Sequence, residues 1–186
     1  MTRHRTPAIG SLAAATALAL AACGPREGRG SLTVSELATL CLARREDADE
    51  IAEMSRASIE EGLTWSWTPT RVRRSILSRD SSVVVARRDG RVAAFAIMAF
   101  GDDVAHLNLL AVAGEHRRQG IGRRLMQWLS ATALEAGVFR IDLELRANNG
   151  AARSFYQSLG FEALNVVQGY YQGIEPALRM TKRLGK

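Results

Sequence analysis

The stretch best equipped for chemistry runs Leu109-Leu110-Ala111-Val112-Ala113-Gly114-Glu115-His116-Arg117-Arg118-Gln119-Gly120-Ile121-Gly122-Arg123-Arg124-Leu125. An apolar run ends at Val112, a loop of basic and small residues follows, and a helical pattern begins near Gly120. Free amides at a helix N-terminus bind anions, and glycines let the backbone approach a ligand. Arg117, Arg118 and Arg123 add charge suited to a diphosphate. The pattern reads as a pyrophosphate cradle, or as a glycine-containing turn with a solvated basic face. No Lys-Ser/Thr follows the glycines and GxGxxG is absent, so neither commoner phosphate motif is present.

Other chemistries find little support. Cys23 and Cys41 are too few for a disulfide framework and form no CxxC pair. His4, His106 and His116 lie far apart with no second ligand at zinc spacing, so no metal is expected. The chain has 186 residues, 47% hydrophobic and 24% charged, which suits one globular core. Its net charge is +6, half of it carried by residues 1–30. The body at +3 lacks the charge pattern of a nucleic-acid binder, and no DNA partner is expected. Arg71, Arg73, Arg74 and Arg79 form a basic helix face for an acidic partner or ribosomal RNA, or a solvated arginine face.

The elements that must position the loop follow from periodicity and turn chemistry. Leu40 to Ala43 suits an opening strand, and Ile51, Met54 and Ile59 have helical spacing behind Asp47 and Asp49. Val72, Ile76 and Leu77 suggest a second helix. The Asp89-Gly90 pair between two apolar runs predicts an antiparallel hairpin. A third strand is expected over Ala105 to Val112. Gly120 to Ala136 reads as a long helix burying Ile121, Leu125, Met126, Trp128, Leu129 and Leu134. Phe139, Ile141, Leu143 and Leu145 alternate with Arg140, Asp142, Glu144 and Arg146, which predicts a strand with one apolar face. A short helix over Ala151 to Leu159 and closing strands at Val166-Val167 and Leu178 to Thr181 complete a mixed α/β layered domain with one central sheet.

Residues 1–30 read differently. Arg3 and Arg5 precede an Ala/Leu-rich stretch from Ile9 to Ala22, short for a membrane span but long enough for a secretory leader. Leu20-Ala21-Ala22-Cys23 resembles the lipobox of bacterial lipoproteins. The alternative is translated upstream sequence, with residues 24–35 as a linker.

The loop as a whole resembles the acyl-CoA loop of the GNAT N-acetyltransferases, Arg/Gln-x-x-Gly-x-Gly/Ala, here Arg117-x-x-Gly120-x-Gly122. Leu143-Glu144-Leu145-Arg146, then Asn149, Ala151 and Phe155-Tyr156 up to Gly160-Phe161, is similar to the second motif of the ribosomal-protein-alanine (RimI-type) branch. Gly169-Tyr170-Tyr171 followed by Glu175, Ala177 and Met180 resembles that branch's end. The resemblance implies a GNAT acyl-CoA N-acyltransferase fold over residues 36–186, a mixed central sheet flanked by helices, with acetyl-CoA as co-substrate and a primary amine as acceptor.

It also implies roles. Glu144 is carried over as the base that deprotonates the amine, against a reading as a solvated strand carboxylate. Tyr156 is carried over as the acid that protonates the CoA thiolate, against a reading as a core aromatic. Leu110, Ala111 and Val112 offer a main-chain amide to the oxyanion. The phosphates fall to Arg117, Arg118, Gln119, Gly120, Ile121, Gly122 and Arg123. Asn149 stands where the family contacts the pantetheine arm, and also where a helix N-cap belongs.

The acceptor end departs from the branch. Ser66 stands where Pro usually precedes Trp67, and Pro176 replaces an acidic residue beside Glu175. Trp65, Trp67, Tyr170 and Tyr171 line an acceptor groove or pack as a lid. The acceptor is expected to be a protein N-terminal α-amine. The alternatives are a small-molecule amine, or a CoA-binding sensor without turnover. Acetyl-CoA is cytoplasmic, so residues 1–35 are expected to be a start-site artefact or an inert extension, and the protein cytoplasmic.

Overall fold

The computed structural model describes residues 38–185. The leader, lipobox and linker expectations for residues 1–35 lie outside the described residues. In chain order the elements are β1 (Thr39–Leu42), α1 (Ala48–Ser58), α2 (Pro69–Leu77), β2 (Ser81–Arg88), β3 (Arg91–Phe100), β4 (Ala105–Val112), α3 (Ile121–Glu135), β5 (Arg140–Arg146), α4 (Gly150–Gln157), β6 (Glu162–Tyr171) and β7 (Glu175–Arg183). Short 3-10 turns precede α1 and follow β4. This is the expected order of elements.

The strands form one seven-stranded sheet in the order β1-β2-β3-β4-β5-β7-β6. The β4–β5 pair is parallel, joined by the α3 crossover, and every other pair is antiparallel. Asp89 and Gly90 turn β2 into β3 with φ of 50° and 80°, the positive pair that a two-residue hairpin requires.

Both faces of β2 and β3 are covered. On one face Ile121, Leu125, Met126 and Leu129 of α3 pack with Val84, Ala86, Ile141 and Leu143. On the other, Ile51 and Ala52 of α1 and Val72 of α2 pack with Val83, Val85, Phe95 and Ile97. Two covered faces explain why residues 83–86 are continuously apolar instead of alternating.

Two expectations about burial are corrected. Leu134 is 41% exposed and Phe139 is 59% exposed. At about 100° per residue, Ile121, Leu125, Met126, Leu129 and Ala133 share one arc of α3, and Leu134 falls on the next face. Trp128 lies at the arc's edge, partly buried. Phe139 precedes β5, and Val138 takes the buried place at 3% exposure. Leu134 and Phe139 instead flank the chain near Gly185. Among the described residues no helix is long and apolar enough to cross a membrane.

Candidate active site

The parallel pair is short. β4 and β5 are in register only at Ala105↔Ile141, His106↔Asp142 and Leu107↔Leu143, and beyond these residues the strands part. A register shift against β3 occurs at the same point, where Ile97 faces Leu109 and Met98 faces Leu107, leaving Asn108 as a bulge. The bulge turns the strand over. Ala105 and Leu107 sit in the α3-side core, whereas Leu109 and Ala111, of the same parity, sit in the α1-side core. Past the bulge, alternate main-chain groups of β4 point away from β3 into a gap that, among the described residues, no strand fills.

That gap opens into a groove of about 710 Å³. His106, Asn108, Leu110, Glu144, Asn149 and Tyr156 line it. Its roof is the loop after α1 and the β6–β7 hairpin, which meet where Thr64 Oγ1 lies 3.3 Å from Gln172 Oε1 and Gln172 Nε2 donates to Thr64 O at 3.4 Å. A buried carboxylate shapes that loop. Glu60, 6% exposed, accepts hydrogen bonds from Ser66 N, Ser66 Oγ and Trp67 N.

Alternation along β5 turns Asp142, Glu144 and Arg146 away from the α3-side core, as expected. Each has a partner. Asp142 Oδ1 accepts from Thr181 Oγ1 of β7. Glu144 Oε2 lies 2.9 Å from His106 Nε2 of β4, and its Oε1 accepts from Arg179 Nε of β7 at 3.1 Å. Arg146 reaches the Ile59 and Glu61 carbonyls and the Glu175 carboxylate, fixing the roof to the sheet. The hydrogen bond from His106 holds the Glu144 carboxyl below the usual carboxylate range, and Arg179 adds to this. The same bond to Glu144 raises the His106 imidazole.

Tyr156 is 8% exposed and packs edge-on between Phe155 and Phe161, with centroids 5.1 and 5.5 Å away. Its ring is core, yet it also lines the groove. Burial pushes its phenol well above the usual range, so it stays protonated at neutral pH. Asn149 caps α4, with Oδ1 accepting from Ala152 N at 2.9 Å, and it also lines the groove. Tyr170 and Tyr171 line it too, and burial raises both phenols, that of Tyr171 to about 12. Of the two tryptophans in the loop after α1, Trp67 lines the groove beneath Arg71, whose guanidinium lies 4.0 Å from its ring centroid. Trp65 lies outside the lining, under Arg56.

Ala111, Val112 and the basic loop stand beyond the groove's lining. Val112 O accepts from Arg117 Nε at 3.1 Å. Gln119 bridges Arg88 Nη1 and Glu115 O. Arg118 and Gly120 both take positive φ, 64° and 78°, and bend the loop into α3. The first-turn amides of Ile121, Gly122 and Arg123 have no preceding turn to bond. Arg123 Nη2 donates to Ser158 Oγ at 3.1 Å, tying α3 to α4. Gly122 has its own reason, since a Cβ there would lie 3.2 Å from Phe155 Cζ. Arg73 pairs with Asp49 at 2.7 Å.

Sequence reasoning missed His106 and Arg179 as partners of Glu144, and Glu60 as the organiser of the roof. His106 carried a weak signal, being a polar residue of β4 before the Leu109-Leu110 pair that marks the bulge. Among the described residues no three His, Cys, Asp or Glu side chains gather as metal ligands. The arrangement can bind an anion at the start of α3, admit an extended amide-bearing chain beside β4, and move a proton within the groove.

Residues 48–161 match the model of the family described as acetyltransferase (GNAT) family. The ribosomal protein bS18-alanine N-acetyltransferase of Escherichia coli (strain K12) is 40% identical over 96 residues, covering 50% of this chain and 65% of that enzyme. The chain thus spans slightly under two thirds of that relative. The catalytic subunit of the N-terminal acetyltransferase B complex of Schizosaccharomyces pombe is 36% identical over 66 residues, covering 36% of this chain and 37% of that subunit. The crystal structure of the ribosomal-protein-S18-alanine N-acetyltransferase from Escherichia coli superposes with a TM-score of 0.66 at 28% identity, covering 80% of this chain and 94% of that one.

Proposed function

The chain belongs to the GNAT acetyltransferase family, and on that premise we propose that it transfers the acetyl group of acetyl-CoA to a primary amine, the α-amine of a protein N-terminus. The observation that carries this reading is the parting of β4 from β5, with Glu144 and Tyr156 in the groove and the free amides of α3 beyond its end. The relatives named for acetylating ribosomal alanine support the peptide acceptor.

The residues present fit acetyl-CoA. The start of α3 with Arg117 and Arg118 would hold its phosphates. The unpaired edge of β4 at Leu110–Val112 and Asn149 would take the pantetheine arm. When bound, acetyl-CoA supplies an acetyl group activated as a thioester. An α-ammonium has a pKa of about 8 and must lose a proton before it can attack. In this reading the carboxylate of Glu144 is essential to that loss. Tyr156, kept protonated by burial, donates a proton at the leaving group. The cytoplasm, where acetyl-CoA is made, is the compartment this chemistry requires.

The test uses the full chain, acetyl-CoA and a thiol-detecting assay of CoA release. The acceptors are peptides with free Ala, Ser or Met N-termini, Lys side-chain amines, polyamines and aminoglycosides. Release with peptide N-termini, lost in Glu144→Gln, supports the proposal. Turnover confined to small amines overturns the peptide acceptor. No binding of acetyl-CoA overturns the transferase reading.

A further inference from the structure

We propose that His106 is the group that takes the proton from the acceptor ammonium, and that Glu144 positions it. This rests on the transferase reading above. Glu144 is already engaged at both oxygens. Its Oε2 lies 2.9 Å from His106 Nε2, its Oε1 accepts from Arg179 Nε at 3.1 Å, and its side chain is 11% exposed. A carboxylate with both oxygens engaged by donors is held as the anion, which makes it a poor proton acceptor and a good anchor.

His106 has the complementary properties. Its side chain is 39% exposed and lines the groove. It stands in the last paired stretch of β4, two residues before the bulge, where the strands begin to part. With Nε2–H donating to Glu144, the neutral ring has Nδ1 as its remaining acceptor. A base oriented by a carboxylate through its second nitrogen is a recurring catalytic arrangement. The bond to Glu144 also raises the imidazole above its ordinary value, which makes it a stronger proton acceptor.

Among the described residues, few charged groups face the ring. β5 contributes Glu144 and Asp142, and β7 contributes Arg179. β3 sets the uncharged Ala99 opposite His106. Tyr170 of β6 lies against Glu144. Glu60, Glu61, Arg71, Arg146, Tyr156 and Tyr171 line other parts of the same groove.

The protons balance. One proton of R–NH3+ passes to His106 Nδ1, whose imidazolium Glu144 stabilises, and from there to water. The amine lone pair forms the C–N bond, and the C–S bond breaks with its electrons on sulfur. The amine's second surplus proton reaches that sulfur through the Tyr156 hydroxyl. The products are an amide, a thiol and one released proton.

The test is the pH dependence of kcat/KM with the best peptide acceptor, for the wild type, His106→Gln and Glu144→Gln. Gln at 106 keeps a donor to Glu144 but cannot take the proton. His106→Gln is expected to lower kcat by about 10²- to 10⁴-fold, with little change in acceptor KM. The acid limb of the wild type should fall in the histidine range, vanish in His106→Gln and move to lower pH in Glu144→Gln. An NMR titration of the His106 imidazole should move the same way in Glu144→Gln, and it stays readable if that variant is too slow to assay. Retention by His106→Gln of activity within threefold, with an unchanged limb, overturns the role of His106 and leaves the transferase reading intact. A wild type that turns over no amine overturns the transferase reading, and this inference with it.

Discussion

Glu60 and Ser66 are joined twice, because one carboxylate oxygen, Glu60 Oε1, accepts from both the amide and the hydroxyl of Ser66 at 2.7 Å. The same carboxylate takes the Trp67 amide and the Ser55 hydroxyl. Glu60→Gln puts an NH2 where one oxygen accepted, so a buried donor faces a donor. The expected cost is about 1–3 kcal/mol, seen as a Tm lower by several degrees. Because the loop roofs the groove, the KM for the acceptor should rise more than that for acetyl-CoA, and steady-state kinetics with each substrate varied will separate the two.

Gly122 packs α3 against α4, since a Cβ there would lie 3.2 Å from the tip of the partly buried Phe155 ring. Ala gains about 1 kcal/mol of helix propensity over Gly, and the ring tip can shift by a few tenths of an ångström. Gly122→Ala is therefore expected to be near neutral. Gly122→Val adds two more carbons against the same ring, and overpacking of about 1–3 kcal/mol should win. Thermal melts of the two variants check this split.

Arg118 sits at φ 64°, a conformation that costs a side-chain-bearing residue about 1–2 kcal/mol. Arg118→Gly relieves that strain and removes a charge from the loop. The expected result is an unchanged or slightly higher Tm together with an acetyl-CoA KM raised about two- to fivefold. An unchanged KM would show that Arg118 does not hold the phosphates of acetyl-CoA.

Tyr156→Phe keeps the ring between Phe155 and Phe161 and deletes only the hydroxyl. Its Tm should stay within a few degrees, while kcat falls about tenfold or more if the hydroxyl delivers a proton. The proton-delivery role fails if kcat is unchanged.

The His106–Glu144 contact also predicts how stability varies with pH. Their mutual hydrogen bond raises the imidazole above its ordinary 6.5 and lowers the carboxyl below its ordinary 4.5. The histidine contribution is fully present below 6.5 and is lost as pH rises through the raised value. The glutamate contribution is present above 4.5 and is lost as pH falls through the lowered value. The gap in urea midpoint between wild type and His106→Gln should thus be widest between pH 4.5 and 6.5 and shrink as pH rises through the raised imidazole value.

By itself the sequence determined what depends on neighbouring residues. The Asp89-Gly90 hairpin, the order of strands and helices and the loop into α3 all arise from local turn chemistry and short-range periodicity, so they were legible in the sequence. The alternation of β5 likewise put Glu144 on the polar face. The tertiary structure alone decided what that carboxylate meets. His106 reaches Glu144 because β4 and β5 pair in parallel across the α3 crossover, and Arg179 reaches it because β7 inserts between β5 and β6. The exposure of Leu134 and Phe139 and the reversal of β4 at Asn108 were settled in the same way. These contacts join residues 35 or more positions apart, or depend on which strand lies alongside, and a pattern that repeats every two or every 3.6 residues carries no information about such partners.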